Sequence, residues 1–246
     1  MIEAHGIGFH HPGGDWLFRG LTLTVPPGAV TCVMGPNGRG KTTLMRCLSG
    51  LLAPKEGFVV REEHVAHVPQ ASPSTFAFSV LDMVLMGRAR SIGTFSRPRA
   101  SDVRAARSAL RRVGTLELAE RPFTELSGGQ RQLVLVARAL CSGHRTLMLD
   151  EPASALDVRN QGALLRVSRE LADEGYAVLM NTHHPDHAAW LADRAVLMHT
   201  DRVETGSAAE LITGPALTEL FALPVSTHTV PEGRGERVLV APHYGS

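Results

Sequence analysis

The chain has 246 residues, 43% hydrophobic and 20% charged, with 25 Lys+Arg against 24 Asp+Glu for a formal net charge of +1. This length buries a substantial core, as one large domain or a core plus a subdomain, and the charge balance excludes bulk attraction to nucleic acid or an acidic membrane. No apolar run approaches the ~20 residues that cross a bilayer, no signal peptide is read at the start, and Cys32, Cys47 and Cys141 show no paired metal spacing, as in a reduced cytosolic protein.

In chain order, residues 1–72 read as strand-rich with one helix inserted. Leu21-Thr22-Leu23-Thr24-Val25 alternates as a half-buried strand, and Pro26-Pro27-Gly28 turns the chain. Val30, Cys32, Val33 and Met34 form a short buried strand ending at Gly35, and a helix follows with Leu44, Cys47, Leu48 and Leu51 on one face. Residues 73–143 read as helical. Val80, Met83, Val84 and Gly87 share a face, and Ser101 is placed to cap a helix carrying Val103, Ala106, Leu110 and Val113 that stops at Gly114. From 146 strands and helices alternate: a strand over 146–149, a helix with Leu164, Val167 and Leu171, a strand at 177–181, a helix, and a strand at 194–198. That alternation predicts a parallel α/β sheet. The tail, 224–246, is turn-rich, with Arg237-Val238-Leu239-Val240 as a last strand.

Chemistry concentrates in three motifs. Gly35-Pro36-Asn37-Gly38-Arg39-Gly40-Lys41-Thr42-Thr43 fits the phosphate loop. Its glycines allow a tight turn whose N–H groups approach phosphate oxygens, and the helix behind it adds a partial positive charge. Lys41 reaches the β/γ-phosphates, and the Thr42 hydroxyl can ligate magnesium. Lys occurs only at 41 and 55, whereas the other basic residues are Arg. Leu126-Ser127-Gly128-Gly129-Gln130 opens a second helix with Leu133, Val136, Ala137 and Leu140 on one face, a second anion site. Asp150 and Glu151 end the strand at 146–149, where ligands bind in open parallel sheets. Asp150 suits a magnesium carboxylate, and Glu151 a base that polarises the attacking water.

The order of these motifs resembles the ATP-binding-cassette (ABC) ATPases, over nearly the whole chain. The resemblance implies an α/β phosphate-loop fold. Its mainly parallel core sheet, over 1–72 and 144–223, carries an N-terminal antiparallel β subdomain and an inserted helical subdomain over 73–143. It implies ATP and magnesium as ligands, with His11 and residues 35–43 on the nucleotide. Gln70, at the nucleotide, would sense magnesium and the partner membrane subunit, and Ser127, Gly128, Gly129 and Gln130 would close on ATP held by a partner cassette. Ser154-Ala155-Leu156-Asp157 matches the loop crossing the dimer interface, and His183 occupies the switch-histidine place, assisting Lys41 and Glu151 in catalysis. Two departures stand out. His11 lies where the family has an adenine-stacking aromatic, leaving the contact open between His11 and Trp16, and Ala153 replaces a hydroxyl residue. His183, His184 and His187 also admit a metal-ligand reading, against which Pro185 counts.

Resemblance further implies the motor of a bacterial importer, peripheral on the cytoplasmic face of the inner membrane. It would be a homodimer joined to two transmembrane permeases and an extracytoplasmic substrate-binding protein, with no nucleic acid and no membrane insertion of its own. The run from Phe76 to Arg88 looks like ATPases of large-permease importers, where this region receives the permease's coupling helix. The short stretch from Gly57 to Gln70 and the run Ser91–Pro98 resemble the molybdate/tungstate branch, with an iron complex such as a siderophore or haem as the other cargo. A soluble non-transport ABC ATPase acting on nucleic acid or ribosomes is the alternative. It usually needs two cassettes or a long coiled-coil insertion, and this chain has neither.

Overall fold

The structure is a computed structural model, described over residues 1–69, 78–90, 97–154, 156–232 and 235–245. Two strands open the chain, β1 (Ile2–His10) and β2 (Trp16–Val25), followed by β3 (Ala29–Met34) and helix α1 (Lys41–Ser49). Next come β4 (Glu56–Arg61), β5 (Ala66–Val68), α2 (Val80–Leu85), α3 (Ala100–Arg112) and α4 (Gly128–Cys141). Alternation resumes with β6 (Thr146–Asp150), α5 (Val158–Asp173), β7 (Ala177–Asn181), α6 (Pro185–Leu191) and β8 (Arg194–Met198). The chain closes with β9 (Val203–Ser207), α7 (Ala208–Leu211), α8 (Gly214–Phe221), β10 (Val225–Glu232) and β11 (Gly235–Pro242). Among the described residues, no helix is long and apolar enough to cross a membrane.

The main sheet runs β5-β6-β7-β3-β8-β9 and is parallel except for the antiparallel edge strand β9. A second sheet, β2-β1-β4, is antiparallel. Alternation along the strands divides the core in two. Val33 and Met148 face a cluster shared with Ile2, Ile7, Leu44 and Leu48. Val30, Cys32, Leu147 and Leu149 face the opposite cluster with α2, α3, α4 and α5. The central strands β3, β6, β7 and β8 are therefore buried on both faces and read as apolar runs, whereas β2 has one wet face and alternates. All three cysteines are buried free thiols, and burial pushes Cys32 up to about 12 and both Cys47 and Cys141 to about 11.

One local expectation is corrected, and the last strand expected at Arg237–Val240 is found within a longer element. Helix α3 starts at Ala100, so Ser101 lies inside it; the Asp102 carboxylate accepts the Arg99 N–H at 2.9 Å and closes the first turn. The tail is a hairpin, β10 against β11 in register from Val225↔Pro242 to Glu232↔Gly235, packed on α6 and α8. Pro231 and Pro242 look like turn signals but fall within the two-stranded ribbon, whose edges tolerate proline.

Candidate nucleotide site

The site is built along one edge of the main sheet. Parallel pairing of β6, β7 and β3 sets Asp150 opposite Asn181 and Asn181 opposite Val33. Gly35, two residues beyond Val33, approaches so closely that a Cβ there would lie 2.6 Å from the Met198 carbonyl oxygen; any side chain would push the loop off the sheet. Gly40 takes φ +87° just before α1, a left-handed turn that frees the first N–H groups of that helix.

A cavity of about 290 Å³ opens here, lined by His11, Leu17, Asn37, Gly38, Gly40, Lys41, Thr42, Thr43 and Glu151. Lys41 is only 5% exposed, and its ammonium donates to the carbonyl oxygens of Gly35 (2.8 Å) and Pro36 (2.9 Å). Burial pulls its pKa below the usual lysine value, opposed by Glu151 and Asp150. The positive charge stands in the loop, bonded only to neutral carbonyls.

His11 is at this cleft, edge-on to Phe9 with ring centroids 5.4 Å apart. Trp16 is not among the lining residues; its ring meets His10 at 4.7 Å and carries the Arg19 guanidinium over its face. Arg39 departs from expectation. Its guanidinium turns outward and donates to the carbonyls of His199 and Thr200, leaving the backbone of residue 39 as its part of the loop.

Glu151 adopts φ +45°, uncommon for a residue with a side chain. Its N–H donates to the Asn181 carbonyl at 3.1 Å, and its own carbonyl accepts from the Ser154 hydroxyl at 3.0 Å. The turn aims its carboxylate into the cavity, with His183 Nδ1 3.6 Å from Oε2. Asn181 also donates through Nδ2 to Asp150 Oδ1 at 2.7 Å. Sequence reading missed Asn181, although a polar residue ending an otherwise apolar strand, next to the acidic strand end, is a visible signal.

Helix α6 begins at Pro185 with His184 as its N-cap, so His183 lies outside the helix and faces Glu151. Ligand atoms of His184, Asp186 and His187 lie within 4.8 Å of one another. The rings of His184 and His187 stack, with centroids 4.6 Å apart and planes 29° apart.

The second motif forms a capping box. Ser127 Oγ accepts from the Gln130 N–H at 3.3 Å, and the Gln130 side chain accepts from the Ser127 N–H at 3.1 Å. Gly129 leaves room for Asn160, since a Cβ would sit 2.5 Å from Asn160 Nδ2. Asn160 is in turn held by Asp157, the N-cap of α5, through its N–H (2.8 Å) and Nδ2 (3.0 Å). The Ser127–Gln130 turn and the Asp157 loop are thus one packed unit, and neither lines the cavity of its own chain. Gln70, Ala155, Phe76, Ala77 and residues 91–96 lie outside the described residues.

A second cavity, about 420 Å³, lies between the main sheet and the helical layer, lined by Leu51, Ala66, Met86, Gly87, Arg90 and Arg138 among others. Leu51 is 68% and Met86 41% exposed, large apolar side chains facing solvent.

Residues 18–154 match the ABC transporter family. The chain is 38% identical over 225 residues to the molybdate import ATP-binding protein of Haemophilus influenzae, covering 91% of this chain and 89% of that one. It is 34% identical to the probable iron chelatin transport ATP-binding protein of Helicobacter pylori, covering 92% and 94%. Among solved structures, a metal-chelate type ABC transporter in an inward-facing conformation superposes with a TM-score of 0.93 at 36% identity, covering 99% of this chain and 97% of that one.

Proposed function

The chain belongs to the ABC transporter family of ATP-binding cassettes, and on that premise we propose that it is the ATP-hydrolysing motor of an importer, working as a homodimer beneath two transmembrane permeases. The observation that carries this is the convergence of Lys41, Thr42 and Glu151 on a cleft at one sheet edge sized for a polyphosphate, with Asp150 beside Glu151 and near enough to act on the Lys41 charge. ATP binds and is hydrolysed there.

The oxygen donors at this edge, the Thr42 hydroxyl and the Asp150 carboxylate, are the hard ligands that magnesium takes, and Gln70 would add an amide oxygen. Magnesium, when bound, supplies charge neutralisation on the phosphate oxygens. The loop N–H groups and Lys41 orient the phosphates. Glu151 accepts a proton from the attacking water, and His183, 3.6 Å from it, assists near the γ-phosphate. The Ser127–Gln130 turn of each protomer closes on nucleotide held by the other, because the capping box engages only the Ser127 and Gln130 N–H groups, leaving those of Gly128 and Gly129 at the helix start, and the turn does not line its own chain's cavity. Closure favours the joined dimer in proportion to its extra contacts. The exposed Leu51 and Met86 around the second cavity suit the coupling helix of a permease, which holds the protein at the cytoplasmic face of the membrane. An extracytoplasmic binding protein delivers the cargo.

We assign that cargo to the oxyanions of the molybdate and tungstate class, supported by the 38% identity to a molybdate import protein and by the short stretch from Gly57 to Gln70. An iron chelate is the second reading, favoured by the metal-chelate type structure. The test is elemental uptake in the native host, comparing wild type with a Lys41→Ala strain by mass spectrometry. Selective loss of molybdenum or tungsten is expected. Loss of iron or cobalt would move the protein to the chelate importers, and no change in any element, with ATPase activity intact, would favour the non-transport alternative.

A further inference from the structure

Asn181 is fully buried, at 0% exposure, yet is the most polar position on its strand. Its neighbours in register are Asp150 on one side and Val33 on the other, placing it between the acidic strand end and the strand that feeds the phosphate loop. Three of its atoms matter. Nδ2 donates to Asp150 Oδ1 at 2.7 Å, and the backbone oxygen accepts from the strained Glu151 N–H at 3.1 Å. Oδ1 is buried with no partner, an acceptor that is expensive to leave unmet. Turning the amide over would set its oxygen against the carboxylate oxygen, so the donor to Asp150 fixes which atom is left over.

A purely structural role would not select this residue. An apolar side chain would fill the same place in β7, whose other members Ala177, Val178, Leu179 and Met180 are all apolar and buried, without an orphan acceptor.

We propose that Asn181 is a positioning residue for the magnesium carboxylate. Its amide N–H fixes the rotation of Asp150, and its unpartnered carbonyl is the acceptor for a water that arrives with the cation. Through its main chain it also holds the turn that aims Glu151. This rests on the reading of Asp150 as the magnesium ligand. Outer-sphere partners of this kind set metal affinity by orienting the ligand.

The test is Asn181→Leu in the full-length cassette, with Mn²⁺ as the spectroscopic stand-in for magnesium. Electron paramagnetic resonance titration in the presence of ADP is expected to show Mn²⁺ affinity about ten-fold weaker or worse. Nucleotide affinity in excess EDTA should be unchanged, and the melting temperature equal to or above wild type, since the orphan acceptor is gone. In steady state, the Mg²⁺ concentration needed for half-maximal hydrolysis should rise by a similar factor. A folded variant with wild-type Mn²⁺ affinity overturns the proposal, as does a lowered melting temperature with an unmoved Mg²⁺ requirement. Should the leucine fail to fold, Asn181→Thr, which suits a strand but lacks the reach of the amide, is expected to weaken Mn²⁺ in the same direction; wild-type affinity there counts equally against it. Asp150→Asn run in parallel separates the two layers. If it too leaves Mn²⁺ affinity unmoved, the magnesium assignment itself has failed; if only the Asn181 variants are silent, the positioning role alone has failed.

Discussion

Glu151 Oε2 and His183 Nδ1 stand 3.6 Å apart, reached from adjacent strands, with Glu151 held in a left-handed turn and His183 one residue before the N-cap of α6. The strained turn keeps the carboxylate near the sheet edge instead of letting it run on along a helix. Glu151→Gln keeps shape and removes the proton acceptor. Hydrolysis is expected to drop by about 100-fold or more, while ATP binding persists and a closed dimer accumulates on size-exclusion chromatography with ATP. Near-wild-type turnover would remove Glu151 from the base role.

Lys41 is bonded to the carbonyls of Gly35 and Pro36, a geometry in which its charge waits inside the loop. Lys41→Ala is expected to weaken ATP by about 10- to 100-fold, the worth of a lost charge-assisted contact. Calorimetric titration reads this directly, and unchanged affinity would contradict the assignment.

Gly87 touches the last turns of α4 through bare backbone: a Cβ there would lie 2.1 Å from the Arg138 carbonyl oxygen and 3.4 Å from Cys141 Cβ. A carbonyl on a buried helix cannot step aside as a flexible side chain can. Gly87→Ala should therefore cost about 2 kcal/mol or more of stability, seen as a lowered melting temperature in the isolated cassette. A melting temperature within a degree of wild type would mean that the segment re-seats freely.

Stability should also depend on pH through partly and fully buried imidazoles. Burial lowers the pKa of His67, His184 and His187 from 6.5 in the folded chain. As pH falls, the unfolded chain therefore takes up these protons first. Stability is fully present above about 6.5 and is lost as pH drops through that value toward the folded pKa values. Melting curves between pH 8 and 5.5 should show the decline beginning near 7. His187→Phe should shallow it, and a melting temperature flat to pH 5.5 would refute the linkage.

Much of this was legible because buried parallel strands announce themselves as apolar runs. The strands at 177–181 and 194–198 fall where the pattern sets them, and Gly35–Thr43 folds between strand and helix as its glycines require. What escaped has physical causes. Asp102, not Ser101, closes the first turn of α3, because a carboxylate at the third helical position reaches back to the N–H of Arg99. The C-terminal hairpin hid behind its prolines. Arg39 sits inside the phosphate motif, yet its long stem carries the charge out to His199 and Thr200, which no local pattern encodes. Asn181 acts on Asp150, 31 residues away, and Asn160 packs against Gly129 on another helix, pairings that only the folded chain creates.

The backbone contact between Gly87 and Arg138 has a mechanical corollary. Helix α4 spans 14 residues, about 21 Å at 1.5 Å per residue, with Ser127 capping one end and Arg138 near the other. Gly87, next to the exposed Met86, meets the Arg138 end of this helix backbone to backbone. If a permease seats on the Met86 surface as proposed, a displacement imposed there meets the helix backbone directly, and a tilt of the rod would carry it to Ser127. The two ends of one helix would then report to each other what happens in the membrane and what happens at the nucleotide.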